Sequence, residues 1–319
     1  MKSRMISIFS SVAVVVAMTM SIAPLNAQEA AATATVPVRM TVTANVANDK
    51  RMPEINQDDI VVKQGKERLQ VANWAPAQGN HAGLDLFILI DDASNTSLGS
   101  HLDELRTFIN AQPSTTAIGV GYMRNATVQI VQNFTTDHAA AAKALRLPLG
   151  SVGAFGSPYL SVVDLMNRWP EHENRRAVVM ITDGIDRARS GPQWRGLSTN
   201  PDVDTAGRVA MRTGTIIHTI YAPGVGRFHR NYWEGTNGQM GIAELSDVTG
   251  GESFFLGLQN PVSLAPYLNE LQKILNNQYL LSVYAKPGNK AGLQYLAVST
   301  EVAGVDLAAP DAVWVPAAK

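Results

Sequence analysis

The 319-residue chain has no cysteine. That excludes disulfide staples, a thiol nucleophile, zinc fingers and iron–sulfur clusters, and it rules out lipidation at a cysteine behind a leader. Charge is sparse and balanced, with 26 Lys and Arg against 27 Asp and Glu. A net charge of −1 calls for neither nucleic acid nor an anionic membrane surface as partner. The six histidines are scattered without metal-ligand spacing. The chain also lacks a G-x-S-x-G elbow, an H-E-x-x-H pair, a P-loop and a full G-x-G-x-x-G fingerprint. These absences point away from the common hydrolase, metalloprotease and nucleotide-binding classes.

What is present begins with a leader. Lys2 and Arg4 precede an apolar run from Ile6 to about Ile22, and Leu25-Asn26-Ala27 offers a small-residue cleavage site. The run is short, broken by Ser and Thr, and followed by Pro24, which favours a cleaved signal peptide (1–27) over a retained anchor. The mature chain is expected to start near Gln28, to be periplasmic, surface-bound or secreted, and to have no further membrane span.

Residues 28–82 read as a β segment and linker: strand-like alternation at Val36–Val46, short strands at Ile60–Val62 and Leu69–Trp74, then a Pro/Gly/Asn-rich stretch. From 83 to 277 the pattern changes. Leu84–Ile90 and Ala177–Ile181 are apolar throughout, as strands buried on both faces must be. Helical spacing falls between them, and a short helix is expected at Gln239–Val248. Alternating strands and helices predict an α/β, doubly wound, mainly parallel sheet, with Thr127–Phe134 as an antiparallel edge hairpin strand. Residues 278–319 return to strand character and are expected to pack with the N-terminal segment as a small accessory β unit. Glu171 to Arg176 reads as a solvated turn.

In such a sheet, ligands bind beyond the carboxyl ends of the strands. Asp91-Asp92-Ala93-Ser94-Asn95-Thr96 follows the first apolar strand, Thr182-Asp183-Gly184 follows a later one, and a Gly-rich loop between them sets Ser157 at the start of a helix. These hard oxygens suit Mg²⁺, Mn²⁺ or Ca²⁺ better than Zn²⁺. Each residue also has a plainer role. Ser94 or Ser97 can cap the helix after Gly99, Ser157 can cap a helix with Pro158 at its first position, and Asp183-Gly184 can be a turn. Adjacent acids at the end of a buried strand are harder to explain without a cation nearby.

The order Asp-x-Ser-x-Thr after a strand, then a hydroxyl in a mid-domain loop, then strand–Asp-Gly resembles the metal-ion-dependent adhesion site of von Willebrand factor A (VWFA) domains. The whole span 36–302, with its QYLLSVYAKP segment, resembles exported VWFA-related proteins of acidobacterial type. The resemblance implies metal ligands at Asp92, Ser94, Thr96, Ser157 and Asp183, with Asp91 adjoining, and a partner's carboxylate completing the coordination. Counting from Asp91 instead gives Asp-x-Ala-x-Asn. Two readings therefore stand: a site shifted one residue along the chain, or one that no longer holds a metal.

Two long rim loops add Arg187, Trp194 and Arg195 (Gly184–Asn200), and Arg227, Arg230, Tyr232 and Trp233 (Ala222–Gly238). These are expected to receive an acidic group on a protein ligand. The functional expectation is an exported adhesion-type binding module and not an enzyme. A metal-assisted hydrolase using the same cluster, with Asp91 as base, and a metal-free scaffold are the alternatives.

Overall fold

The structure is a computed structural model that describes residues 35–46, 52–151, 156–189, 200–225, 232–255 and 262–317. Four strands come first: β1 (Val36–Val46), β2 (Ile60–Gln64), β3 (Glu67–Arg68) and β4 (Val71–Pro76). Strand and helix then alternate through β5 (Leu84–Asp91), α1 (Leu102–Asn110), β6 (Thr116–Arg124), β7 (Thr127–Thr135), α2 (His138–Lys143), α3 (Pro158–Asn167) and β8 (Arg175–Thr182). The alternation continues with α4 (Pro201–Thr213), β9 (Thr215–Tyr221), α5 (Tyr232–Val248), β10 (Ser253–Phe254) and α6 (Ala265–Asn276). The chain closes with β11 (Gln278–Ala285), β12 (Gly292–Tyr295), β13 (Ala297–Thr300), β14 (Val305–Ala308) and β15 (Ala312–Val315).

The six strands from β5 to β10 form one sheet in the order β10-β9-β8-β5-β6-β7. All neighbours are parallel except β6 and β7, which form an antiparallel hairpin. Counted within this run, the order is 3-2-1-4-5-6, the doubly wound arrangement. Successive β5 side chains go to opposite faces. Leu86, Ile88 and Ile90 enter the core shared with α1, α2 and α6. Phe87 and Leu89 enter the one shared with α3, α4 and α5. Burial on both faces explains why β5 is apolar without alternation. The hairpin turns on Asn125 and Ala126, both at left-handed φ of 53° and 58°, a pair that matches strand twist.

Strands from the two ends of the chain make the second sheet, ordered β14-β1-β11-β4. Trp74 stacks on Tyr279 with ring centroids 4.4 Å apart, and its indole N–H donates to the Ile55 carbonyl.

Two expectations change. Arg175 is not in a solvated turn: it lies in β8, 7% exposed. Its guanidinium donates to Gln278 Oε1 and the Ala82 carbonyl, tying the start of the large sheet to the start of β11. Burial pushes its pKa down to about 10. Helix α5 also begins seven residues before Gln239, so Tyr232 and Trp233 are helical. Three glycines, at 235, 238 and 241, lower its intrinsic propensity, but they are buried, and close packing decides the outcome.

Candidate functional site

The strands β5, β8 and β9 end side by side, and the segments that follow them are laced together by main-chain bonds. Asn95 N–H donates to Pro223 O, and Val225 N–H to Ala93 O, each at 2.9 Å. At this rim Asp91 and Asp183 are both buried. Asp91 Oδ1 accepts from Ala93 N–H and Oδ2 from the Thr182 hydroxyl, each at 2.8 Å. Burial, and next the charge of Asp183, push its pKa up to about 6, with the Arg187 guanidinium opposing them.

Asp183 accepts from Ile185 N–H and faces Arg187 with both oxygens: Nη2–Oδ2 is 2.5 Å and Nη1–Oδ1 is 3.3 Å. The side chain of Arg187 is 6% exposed and that of Asp183 0%. The 3₁₀ turn Arg187–Arg189 that presents the arginine is itself fixed. Asp186 accepts from Ala188 N–H, the Ser157 hydroxyl and the Asn200 side-chain amide. Gly224 closes the far side, where an added Cβ would overlap Asp183 Oδ2 and lie 2.7 Å from Arg187 Nη2.

Of the residues singled out from sequence, Asp91, Asp183, Ser157 and Arg187 come together here. Ser157 caps α3, accepting from Leu160 N–H, while its hydroxyl donates to Asp186. Ser94 is 1% exposed, and its Oγ has no hydrogen-bond partner among the described residues. Asp92 points the other way. Arg146 holds it by two bonds of 2.7 and 2.9 Å, with the guanidinium lying 3.7 Å from the centre of the Tyr122 ring. The register counted from Asp92 therefore gives way to one counted from Asp91, because consecutive residues at a strand end face opposite sides. Thr96 is exposed, at the start of the 3₁₀ turn Thr96–His101. That turn is capped by Asn95, which accepts from Ser97 N–H, and not by Ser94 or Ser97.

Tyr232 and Trp233 are exposed and meet edge to face, with centroids 5.7 Å apart. Trp194, Arg195, Arg227 and Arg230 lie outside the described residues. Arg146, Asp186 and Gly224 were not foreseen. The spacing Asp183-x-x-x-Arg187 was the one available signal for a pair, and nothing in the sequence around Arg146 marked its role.

Above Asp91 and Arg187 opens a small, solvent-open cleft. Arg124 and Asn125 of the hairpin turn line one side, and Gly156, Ser157 and Ser161 at the start of α3 the other.

Compared by sequence, the chain matches no family model and no curated protein. Its fold is similar to several solved structures. An aerotolerance-related membrane protein from Bacteroides fragilis is 11% identical, with a TM-score of 0.43 over 61% of this chain and 99% of the other. BatB from Bacteroides thetaiotaomicron is 14% identical, with a TM-score of 0.43 over 60% and 97%. The ArnB paralog VWA2 from Sulfolobus acidocaldarius is 8% identical, with a TM-score of 0.38 over 89% and 76%. The deciding observation is internal: the strand order with its one antiparallel edge, and paired acids where β5 and β8 end side by side. The chain carries a von Willebrand factor A fold.

VWA folds imply a divalent ion at this rim, and the donors here do not fit one. Water can fill much of the shell of Mg²⁺ or Ca²⁺, but either ion needs carboxylate oxygens free to bind it. Asp92 and Thr96 are elsewhere, Ser157 is engaged with Asp186, and Asp183 is engaged with a guanidinium. Among the described residues no group of three or more His, Cys, Asp or Glu is placed to hold a metal.

Proposed function

We propose that this chain is an exported protein-interaction module, not an enzyme, whose rim cleft receives an acidic side chain of a partner without a bridging metal. The observation that carries this reading is the cleft itself. It lies at the ligand-binding end of a VWA sheet, is open to solvent, and is lined by Arg124 together with Ser157 and Ser161 at the start of α3. Arginine and the positive end of a helix dipole both favour a carboxylate. The Thr182 hydroxyl, which donates to Asp91 beneath the cleft, is fully buried and closed to a substrate. No helix among the described residues is long and apolar enough to cross a membrane.

Selection of random displayed peptides on the mature chain tests the reading. The selected peptides should share an Asp or Glu, and Arg124→Ala should weaken their binding by about tenfold while leaving the melting temperature within a degree or two, as for an interface arginine. A neutral or basic consensus, or binding indifferent to Arg124, would refute it.

A further inference from the structure

The misfit between the fold's usual ion and this rim has a specific cause. Two buried carboxylates, Asp91 and Asp183, face one site, and a site of that kind needs a positive charge. The chain supplies it. Arg187 stands four residues beyond Asp183, and the turn between them brings the guanidinium back onto the Asp183 carboxylate in two-point contact. Nη1 also donates to the Ile185 carbonyl at 3.2 Å. The guanidinium charge further acts on Asp91. Gly224 lies directly against the pair, which is why that position has no side chain.

We infer that the Arg187 guanidinium is the resident cation of this site and excludes divalent ions from it. A divalent ion would have to displace a buried, doubly bonded guanidinium from Asp183, or share the pocket with it as a second positive centre. Neither Asp91 oxygen is idle, since both accept hydrogen bonds from the chain. Removing the guanidinium should reverse the selectivity, leaving two carboxylates and the Ser94 hydroxyl, which has no partner among the described residues, around an uncompensated pocket. This inference does not depend on which partner the cleft above receives.

The test is Mn²⁺ titration of the mature full chain after EDTA treatment, followed by calorimetry and by the spin resonance of free Mn²⁺, with melting temperatures recorded in parallel. The wild-type chain should take up no stoichiometric ion at up to about 1 mM, the weak end of extracellular divalent sites. Its melting temperature should be unmoved by Mn²⁺. Arg187→Ser in EDTA should melt lower by about 5 °C or more. It should bind one Mn²⁺ and recover most of that loss, and adding Asp91→Asn should abolish the uptake. Arg187→Gln, which keeps the side chain's bulk without its charge, carries the same expectation should the serine variant fail to fold. Stoichiometric uptake by the wild-type chain that Asp183→Asn abolishes would overturn the inference. So would a folded, charge-free variant that binds no ion.

Discussion

His218 lies in the centre of β9 with no exposed surface. Its Nδ1 accepts from Glu252 N–H, so the ring proton sits on Nε2, which has no partner among the described residues. Burial pushes its pKa down to about 4, so the folded chain holds the ring neutral where an unfolded histidine, at about 6.5, is charged. Between those values the unfolded state binds the extra proton, and stability therefore rises with pH. The contribution is complete above about pH 6.5 and is lost as pH falls toward 4, on the order of 3 kcal/mol across the window. Urea midpoints at pH 5 and 7 read this directly. His218→Gln can keep the bond to Glu252 without a titrating ring, and it should lose less between the two pH values than the wild-type chain. Equal losses would show that other groups set the slope. At this scale the sequence was read well where chemistry is local. Acids at the ends of apolar strands marked Asp91 and Asp183. It was read poorly where a partner comes from afar. Nothing near Asp92 announces Arg146, 54 residues on, and an Asp-x-Ser-x-Thr match cannot tell which of two adjacent acids faces which side of a sheet.

Elements whose burial is uniform were legible, and elements built on close approach were not. The apolar runs of β5 and β8 and the antiparallel β7 could be placed because period and composition agree with their environment. The first seven residues of helix α5 could not, since their glycines argue against helix while packing requires them. An added Cβ at Gly238 would overlap the Asp183 carbonyl and lie 3.1 Å from both Gly184 C and Ile185 Cγ1. Opposite it, Gly184 takes a φ of 69°, a conformation that glycine adopts without strain. The two glycines let α5 lie directly on the turn that carries Asp183. Two effects therefore compete in Gly238→Ala. Helix propensity gains about 1 kcal/mol, and overpacking against main chain that cannot rotate away costs about 1–3 kcal/mol. The second should prevail, with a net loss of up to about 2 kcal/mol and a lower melting temperature. A higher melting temperature would show that α5 can shift outward at no cost, and that the contact does not set the position of the Asp183 turn.

Taken whole, the molecule joins a doubly wound VWA sheet to a smaller sheet made from both ends of the chain, and the junction is specific rather than a loose linker. Helix α6 ends at Asn276 and β11 starts at Gln278, leaving one residue between the two bodies. Ala44 N–H donates to the Asn277 carbonyl and Asp311 N–H to the Val248 carbonyl. Arg212 lies over the Trp314 ring at 4.9 Å, and buried Arg175 bonds Gln278 across the junction. Independent domains joined by an exposed linker share few contacts and unfold separately. Here unfolding of the terminal sheet would take the Gln278 acceptor from Arg175 at the base of β8, and losing a hydrogen bond to a buried charge costs about 1.5–3 kcal/mol. The loss would be imposed on the VWA body at the moment the small sheet opens, which couples the two. Scanning calorimetry of the mature chain should accordingly show one transition whose calorimetric and van't Hoff enthalpies agree. Arg175→Met removes the charge, and with it the penalty that couples the bodies. Its melting should broaden or split, with the terminal sheet opening first. Two resolved transitions in the wild-type chain would mean that the bonds at the junction are too weak to join the sheets into one folding unit, and that Arg175 answers only to its own strand.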